Sequence, residues 1–151
     1  MAKQPPFHPR LLVIDDNNRD AKLVVEGFRE VRPDAIVATA INGSDGLETA
    51  RRELPDLILL DLVFPSESGL DILQTLKRDE IAKRIPIVVL SGHPRDDLVW
   101  SAYHEYAAAF LLKPPTFDEL LQMLRVIADF WFSSARLIGS SRALLQAPRQ
   151  D

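Results

Sequence analysis

The sequence predicts a doubly wound α/β fold with a five-stranded parallel sheet. Two observations carry that expectation. Five short apolar runs, at residues 11–14, 35–40, 57–60, 87–90 and 108–112, recur at wide intervals, and four are nearly unbroken and rich in Val, Ile and Leu. Strands covered on both faces read this way, as in parallel sheets. Between them the apolar period becomes helical, and strictly alternating strands and helices imply right-handed crossovers with helices on both faces. The chain has 151 residues and no cysteine. At roughly 100–200 residues per domain it makes one domain, large enough to bury a core without disulfides.

Residues 1–9 hold Pro5, Pro6 and Pro9 and no apolar stretch, so they are expected to be a mobile leader and not a signal peptide. After the first strand, Ala21, Val24, Val25, Phe28 and Val31 form the stripe of the first helix. Beyond the second strand, Gly43 marks a turn and Ser44 is the expected cap of a helix carrying Leu47, Ala50 and Leu54. The third strand leads to Ser68-Gly69-Leu70-Asp71, a capping-box pattern before Ile72, Leu73 and Leu76; Gly43 and Gly69 sit at turns, where glycine tolerates positive φ. Pro94 suits the first turn of the fourth helix. Thr116-Phe117-Asp118-Glu119 is a second capping box, and no Pro or Gly follows it until Gly139. That last helix carries two apolar stripes. Phe117, Leu120, Leu121, Leu124, Ile127 and Trp131 follow the core-facing period, whereas Met123, Val126, Phe130 and Leu137 form a second line near heptad spacing. One domain buries one face of such a helix, so the second line is expected to be a dimer contact, unless the helix end is buried all round.

Composition excludes several classes of function. Hydrophobic residues make up 46% and charged residues 26%, which is globular and not disordered. A formal net charge of −4 speaks against non-specific nucleic-acid binding. The absence of cysteine removes thiol catalysis and thiolate metal sites. No apolar run is long enough to span a bilayer, so the expected location is the cytoplasm. His8 and His104 show no spacing with other ligands and are expected at the surface.

The polar residues that end the strands carry the chemistry. The first strand runs into Asp15-Asp16, the third into Asp61, the fourth into Ser91 and the fifth into Lys113. In open parallel sheets ligands bind beyond the carboxyl ends of the strands. Three carboxylates gathered there repel one another and call for a hard divalent cation such as Mg²⁺. A lysine and a hydroxyl opposite them suit an incoming phosphoryl group. Taken singly, each has a bland reading: Asp15-Asp16 as a polar helix cap, Ser91-Gly92 as a turn, Lys113-Pro114 as a solvated corner. Asp61 resists it, because a carboxylate ending a buried strand needs a partner.

As a set, Leu11-Leu12-Val13-Ile14-Asp15-Asp16-Asn17, Asp56-Leu57-Ile58-Leu59-Leu60-Asp61, Pro65 with Gly69, Pro86-Ile87-Val88-Val89-Leu90-Ser91-Gly92 and Phe110-Leu111-Leu112-Lys113-Pro114 resemble the receiver domain of two-component response regulators. The resemblance covers residues 10–130 and implies a flavodoxin-like sheet of order 2-1-3-4-5. It implies Asp61 as phosphoacceptor, Mg²⁺ held by Asp16, Asp15, Asp61 and the Val63 carbonyl, and Lys113 paired with Asp61 and then with the phosphoryl oxygen. Ser91 takes the place of the switch hydroxyl and Phe110 that of the switch aromatic. The Lys113–Pro114 bond is a candidate cis peptide. Such a module is not an enzyme on outside substrates; it catalyses only its own phosphorylation and dephosphorylation, with a sensor histidine kinase as donor.

Ala128-Asp129-Phe130-Trp131 further resembles the ending of stand-alone response regulators paired with bacterial phytochromes, whose last helix and extension form homodimers. The expected division is a leader at 1–9, a receiver at 10–132 and a carboxyl-terminal extension at 133–151, either a dimer arm or a disordered tail, with no room for a DNA-binding output domain. The sequence departs from the family at Tyr106-Ala107, where Gly-Ala is common, and at Phe64, where Met is frequent. Val63 cannot orient a water, whereas His93 beside the site either could or is simply an exposed loop residue. Two rivals remain. A pseudo-receiver would lack the acidic pair, the acceptor or the lysine, and none is missing. A phosphatase of the haloacid dehalogenase type needs a second acid two residues after its aspartate, where this chain has Val63.

Overall fold

The computed structural model of the chain describes residues 7–92 and 95–134. Its elements run β1 (Arg10–Ile14), α1 (Asn18–Val31), β2 (Ile36–Ala40), α2 (Gly43–Glu53), β3 (Leu57–Leu60), α3 (Gly69–Arg78), a 3₁₀ turn (Ala82–Arg84), β4 (Ile87–Ser91), α4 (Asp96–His104), β5 (Ala109–Leu112), α5 (Phe117–Ala128) and a π-helical turn (Asp129–Ser134). The strands form one parallel sheet in the order β2-β1-β3-β4-β5, as expected.

Strand side chains alternate between faces, and this divides the core in two. Leu12, Ile14, Ile58, Leu60 and Val89 point toward Ile72, Leu73 and Leu76 of α3 and Ala102 of α4. Leu11, Val13, Leu57, Leu59, Val88 and Leu90 point toward Phe28 of α1 and Leu124 and Ile127 of α5. Burial on both faces explains the unbroken apolar runs of β1, β3 and β4. Ahead of β1, the Pro9 carbonyl accepts a 2.8 Å bond from Ile36 N.

The helix starts correct two expectations. Asn42 caps α2 by accepting from Asp45 N at 2.8 Å; the helix begins at Gly43, so Ser44 already lies inside its first turn. Ser68 sits at the cap position of α3 without a side-chain bond. No glycine among the described residues has positive φ. Gly69 is required instead for close approach, because a Cβ there would lie 2.3 Å from Leu62 Cα. Thr116 does cap α5, accepting from Glu119 N at 3.2 Å. Pro94 lies outside the described residues.

Positive φ occurs at Leu54, which closes α2, and at Tyr106 (φ 70°) before β5. Tyr106 therefore occupies the left-handed backbone that glycine adopts without steric cost, which explains the family's glycine there. The Lys113–Pro114 bond is trans, as are all described peptide bonds; X–Pro bonds favour trans by about 0.5–1 kcal/mol.

At the carboxyl end the wider π-helical turn delays the core position by one residue. Phe132, and not Trp131, is buried, and its ring stands 6.2 Å from that of Phe28. Met123 is half-buried against the α1–α5 core, whereas Val126 and Phe130 are 68% and 54% exposed. Leu137 lies outside the described residues.

Candidate functional site

Because all five strands are parallel, their carboxyl ends meet at one edge of the sheet. The ladder extends past the strands: Asp15 N donates to Ala40 O, Asp61 N to Ile14 O and Lys113 N to Ser91 O, at 2.9–3.0 Å. The β1–β3 register sets Ile14 beside Leu60, so Asp15 and Asp61 follow side by side. Apolar neighbours bury both, at 4% and 8% exposure, while Asp16 is half-buried. One carboxylate oxygen from each of Asp15, Asp16 and Asp61 lies within 4.8 Å of the others.

Among the described residues a single side-chain cation faces this cluster. Lys113 Nζ donates to Asp15 Oδ2 at 3.1 Å, Asp20 Oδ2 at 3.0 Å and Asp61 Oδ2 at 3.2 Å, one acceptor for each ammonium proton. The other oxygens of the buried pair meet backbone: Asn17 N donates to Asp15 Oδ1 at 2.9 Å and Val63 N to Asp61 Oδ1 at 3.3 Å. Burial raises the Asp15 carboxyl above its ordinary value, with the Asp61 charge adding to it, and Asn17 N–H and Lys113 offset only part. Burial alone would lower the Lys113 ammonium, but the charges of Asp15 and Asp61 and the bonds to Asp20 and Asp15 outweigh it and hold the pKa above the ordinary lysine value.

The cluster opens into a cleft of about 410 Å³ lined by Asp16, Asp20, Asp61, Val63, Gly92 and Lys113 among others. Ser91 is fully buried at the end of β4, while the next residue, Gly92, reaches the cleft. The donor set fits a hard divalent cation: it is all oxygen, close-packed and anionic, and one lysine does not neutralise it.

The structure thus brings together Asp15, Asp16, Asp61 and Lys113, with Ser91 at the adjacent strand end and Val63 on the cleft wall. Phe110 lies farther back on β5, half-buried on the α4 side of the sheet, and its N–H donates to Tyr103 Oη at 3.1 Å. Met123, Val126 and Phe130 lie on α5 and its π-helical continuation, outside the cleft lining. His8 is exposed and the His104 ring stacks on Trp100 at 4.9 Å; His93 lies outside the described residues. Sequence reasoning missed Asp20. An acid in the first turn of a helix reads as a partner for the helix dipole, and only the fold shows it reaching Lys113.

A family model described as the response regulator receiver domain matches residues 11–125. Response regulator Rcp1 of Synechocystis is 30% identical over 135 residues, covering 84% of this chain and 91% of that protein. The probable methanogenesis regulatory protein FilR2 of Methanothrix harundinacea is also 30% identical over 135 residues, covering 85% and 87%. Among solved structures, the phosphorylated cyanobacterial phytochrome response regulator RcpA superposes with a TM-score of 0.77 at 30% identity, covering 86% of this chain and 98% of that one. The Mn²⁺-bound form of Rcp1 superposes with a TM-score of 0.73 at 28% identity, covering 85% and 98%.

Proposed function

Because this chain belongs to the response regulator receiver domain family, we propose that it is a stand-alone response regulator that accepts a phosphoryl group on Asp61 from a sensor histidine kinase. Receiver domains are signalling modules, not enzymes acting on outside substrates. The observation that carries the reading is the Lys113 ammonium 3.2 Å from Asp61 Oδ2, inside a cluster of carboxylates. A lysine so placed serves the acceptor before transfer and the transferred group after it.

In the reaction an Asp61 carboxylate oxygen attacks phosphorus in line. The phosphorus–nitrogen bond to the donor imidazole breaks, the nitrogen keeps the electron pair, and the product is an acyl phosphate. Val63 N–H holds the other Asp61 oxygen and so orients the carboxylate. Lys113 supplies positive charge to the phosphoryl oxygens. Mg²⁺ held by Asp15, Asp16, Asp61 and the Val63 carbonyl would neutralise the carboxylates and the equatorial oxygens when bound. Ser91 then follows the phosphoryl group, Phe110 turns inward, and the surface of α4, β5 and α5 changes shape, a two-state element biased by a local charge event.

The receiver would occupy 10–132, between a leader at 1–9 and an extension at 133–151. Met123, Val126, Phe130 and Leu137 would form a homodimer contact. Similarity to RcpA, a phytochrome response regulator, supports a bacteriophytochrome as the kinase and hence a cytoplasmic site of action. Among the described residues no helix is long and apolar enough to cross a membrane. The test is acid-labile labelling by acetyl phosphate or a cognate kinase. Asp61→Asn keeps the shape and removes the nucleophile, so the variant should fold and take up no label. Undiminished labelling would make another residue the acceptor, and a wild type that takes no label would be a pseudo-receiver.

A further inference from the structure

We propose that Asp20 is a positioning residue that draws Lys113 toward α1 and adds a fourth carboxylate to the cleft, so that it strengthens divalent-cation binding and weakens retention of the phosphoryl group. The proposal rests on the reading of Asp61 as acceptor.

The geometry starts from a fully used ammonium. Lys113 spends one proton on each of Asp15, Asp20 and Asp61, at 3.0–3.2 Å. To meet a phosphoryl oxygen on Asp61 it must exchange a partner. The side chains of Asp15 and Asp61 are 5% and 9% exposed, whereas that of Asp20 is 38% exposed. A carboxylate released at the half-open position is hydrated, and one released in the buried pair is not. Asp61 Oδ2 gives up its bond when it becomes the ester oxygen, and of the two carboxylates that then still hold Lys113, Asp20 is the one able to yield further.

Charge points the same way. Four carboxylates, one ammonium and one divalent cation give a formal sum of −1, and without Asp20 the sum is zero. Asp20 lines the cleft into which an anionic group must pass. It thus repels the phosphoryl group and attracts the cation. Removing the charge should shift the two ligands in opposite directions, which loss of packing would not do.

The test uses the full chain with Mg²⁺ alone, and then trifluoroberyllate, an anionic phosphoryl mimic, at saturating Mg²⁺, both read by calorimetry. Asp20→Asn should weaken Mg²⁺ binding several-fold and tighten trifluoroberyllate binding on the order of tenfold, the scale of one partly screened charge at contact range. Asp20→Glu, which keeps the charge, should return both toward wild type. Shifts in the same direction, or none, would overturn the role. Asp61→Asn separates the two readings: it should abolish trifluoroberyllate binding, and if it does not, the acceptor assignment fails and the Asp20 role falls with it. If Asp61→Asn abolishes binding and Asp20→Asn changes nothing, only the Asp20 role fails.

Discussion

The two adjacent aspartates just past β1 stand in different surroundings. Asp15 is buried, with one oxygen taken by Asn17 N–H and the other by Lys113. Asp16 is half-buried and lines the cleft. A cation entering the cleft meets Asp16 without displacing an existing bond of Asp15. Mg²⁺ at ten times its dissociation constant should stabilise the fold by about 1.4 kcal/mol through mass action. Asp16→Ala should remove more of that gain than Asp15→Ala, read as the Mg²⁺-dependent shift in melting temperature; equal losses would mean that the two share the cation. Asp15, Asp16, Asp61, Ser91 and Lys113 were legible in the sequence because each stands at or just beyond the carboxyl end of an apolar run, where a polar side chain needs a reason. Asp20 was not, because its partner lies 93 residues away and its local setting has an ordinary explanation. Tyr106 was visible only as a departure from the family, and its left-handed backbone shows why glycine is the residue expected there.

At the scale of elements, the join between α2 and α3 titrates. Arg51 of α2 donates from Nε and Nη2 to Asp79, the residue that ends α3. The other Asp79 oxygen accepts from Ile81 N and Ala82 N and so starts the 3₁₀ turn. These bonds, that to Arg51 foremost, lower the Asp79 carboxyl from 3.8 to about 2. A depressed folded-state value means the ionised form stabilises the fold. The contribution is complete above the unfolded value near pH 4 and is lost as pH falls through about 2. Asp79→Asn retains an acceptor for the turn and removes the ion pair. The stability gap between wild type and this variant should be widest above about pH 4 and close as pH drops toward 2. A gap independent of pH in urea melts across that range would show that the ion pair adds nothing. Element identity and order were legible from periodicity, whereas the caps were not. Asn42 and Ser44 are both good caps by chemistry, and only the position of the first turn chooses between them. The π-helical turn left no mark on the 3.6-residue pattern, so the core position at Phe132 appeared at Trp131.

On the scale of the whole molecule, the sheet separates two cores and sends their consequences to different surfaces. Chemistry gathers at the carboxyl edge, while Val126 and Phe130, one helical turn apart, stay exposed on the outer side of α5. Phe130 is held edge-on against Trp131 at 5.0 Å, so the patch is preformed. Met123 is the part of the expected stripe that the α1–α5 core already claims, so the proposed dimer contact narrows to Val126 and Phe130 among the described residues. Burying two large apolar side chains per subunit at about 1.5–3 kcal/mol each gives roughly 6–12 kcal/mol across a two-fold axis before an association cost of at least about 4 kcal/mol, so only the upper end of that range would hold a micromolar dimer. In a symmetric pair each helix meets its own copy, so one substitution acts twice. Phe130→Glu would set two like charges in a desolvated seam and should yield a folded monomer that still takes label at Asp61. Light scattering across a concentration series reads the outcome. A wild type that stays monomeric at high concentration, with and without a phosphoryl mimic, would assign the Val126–Phe130 face to a different partner.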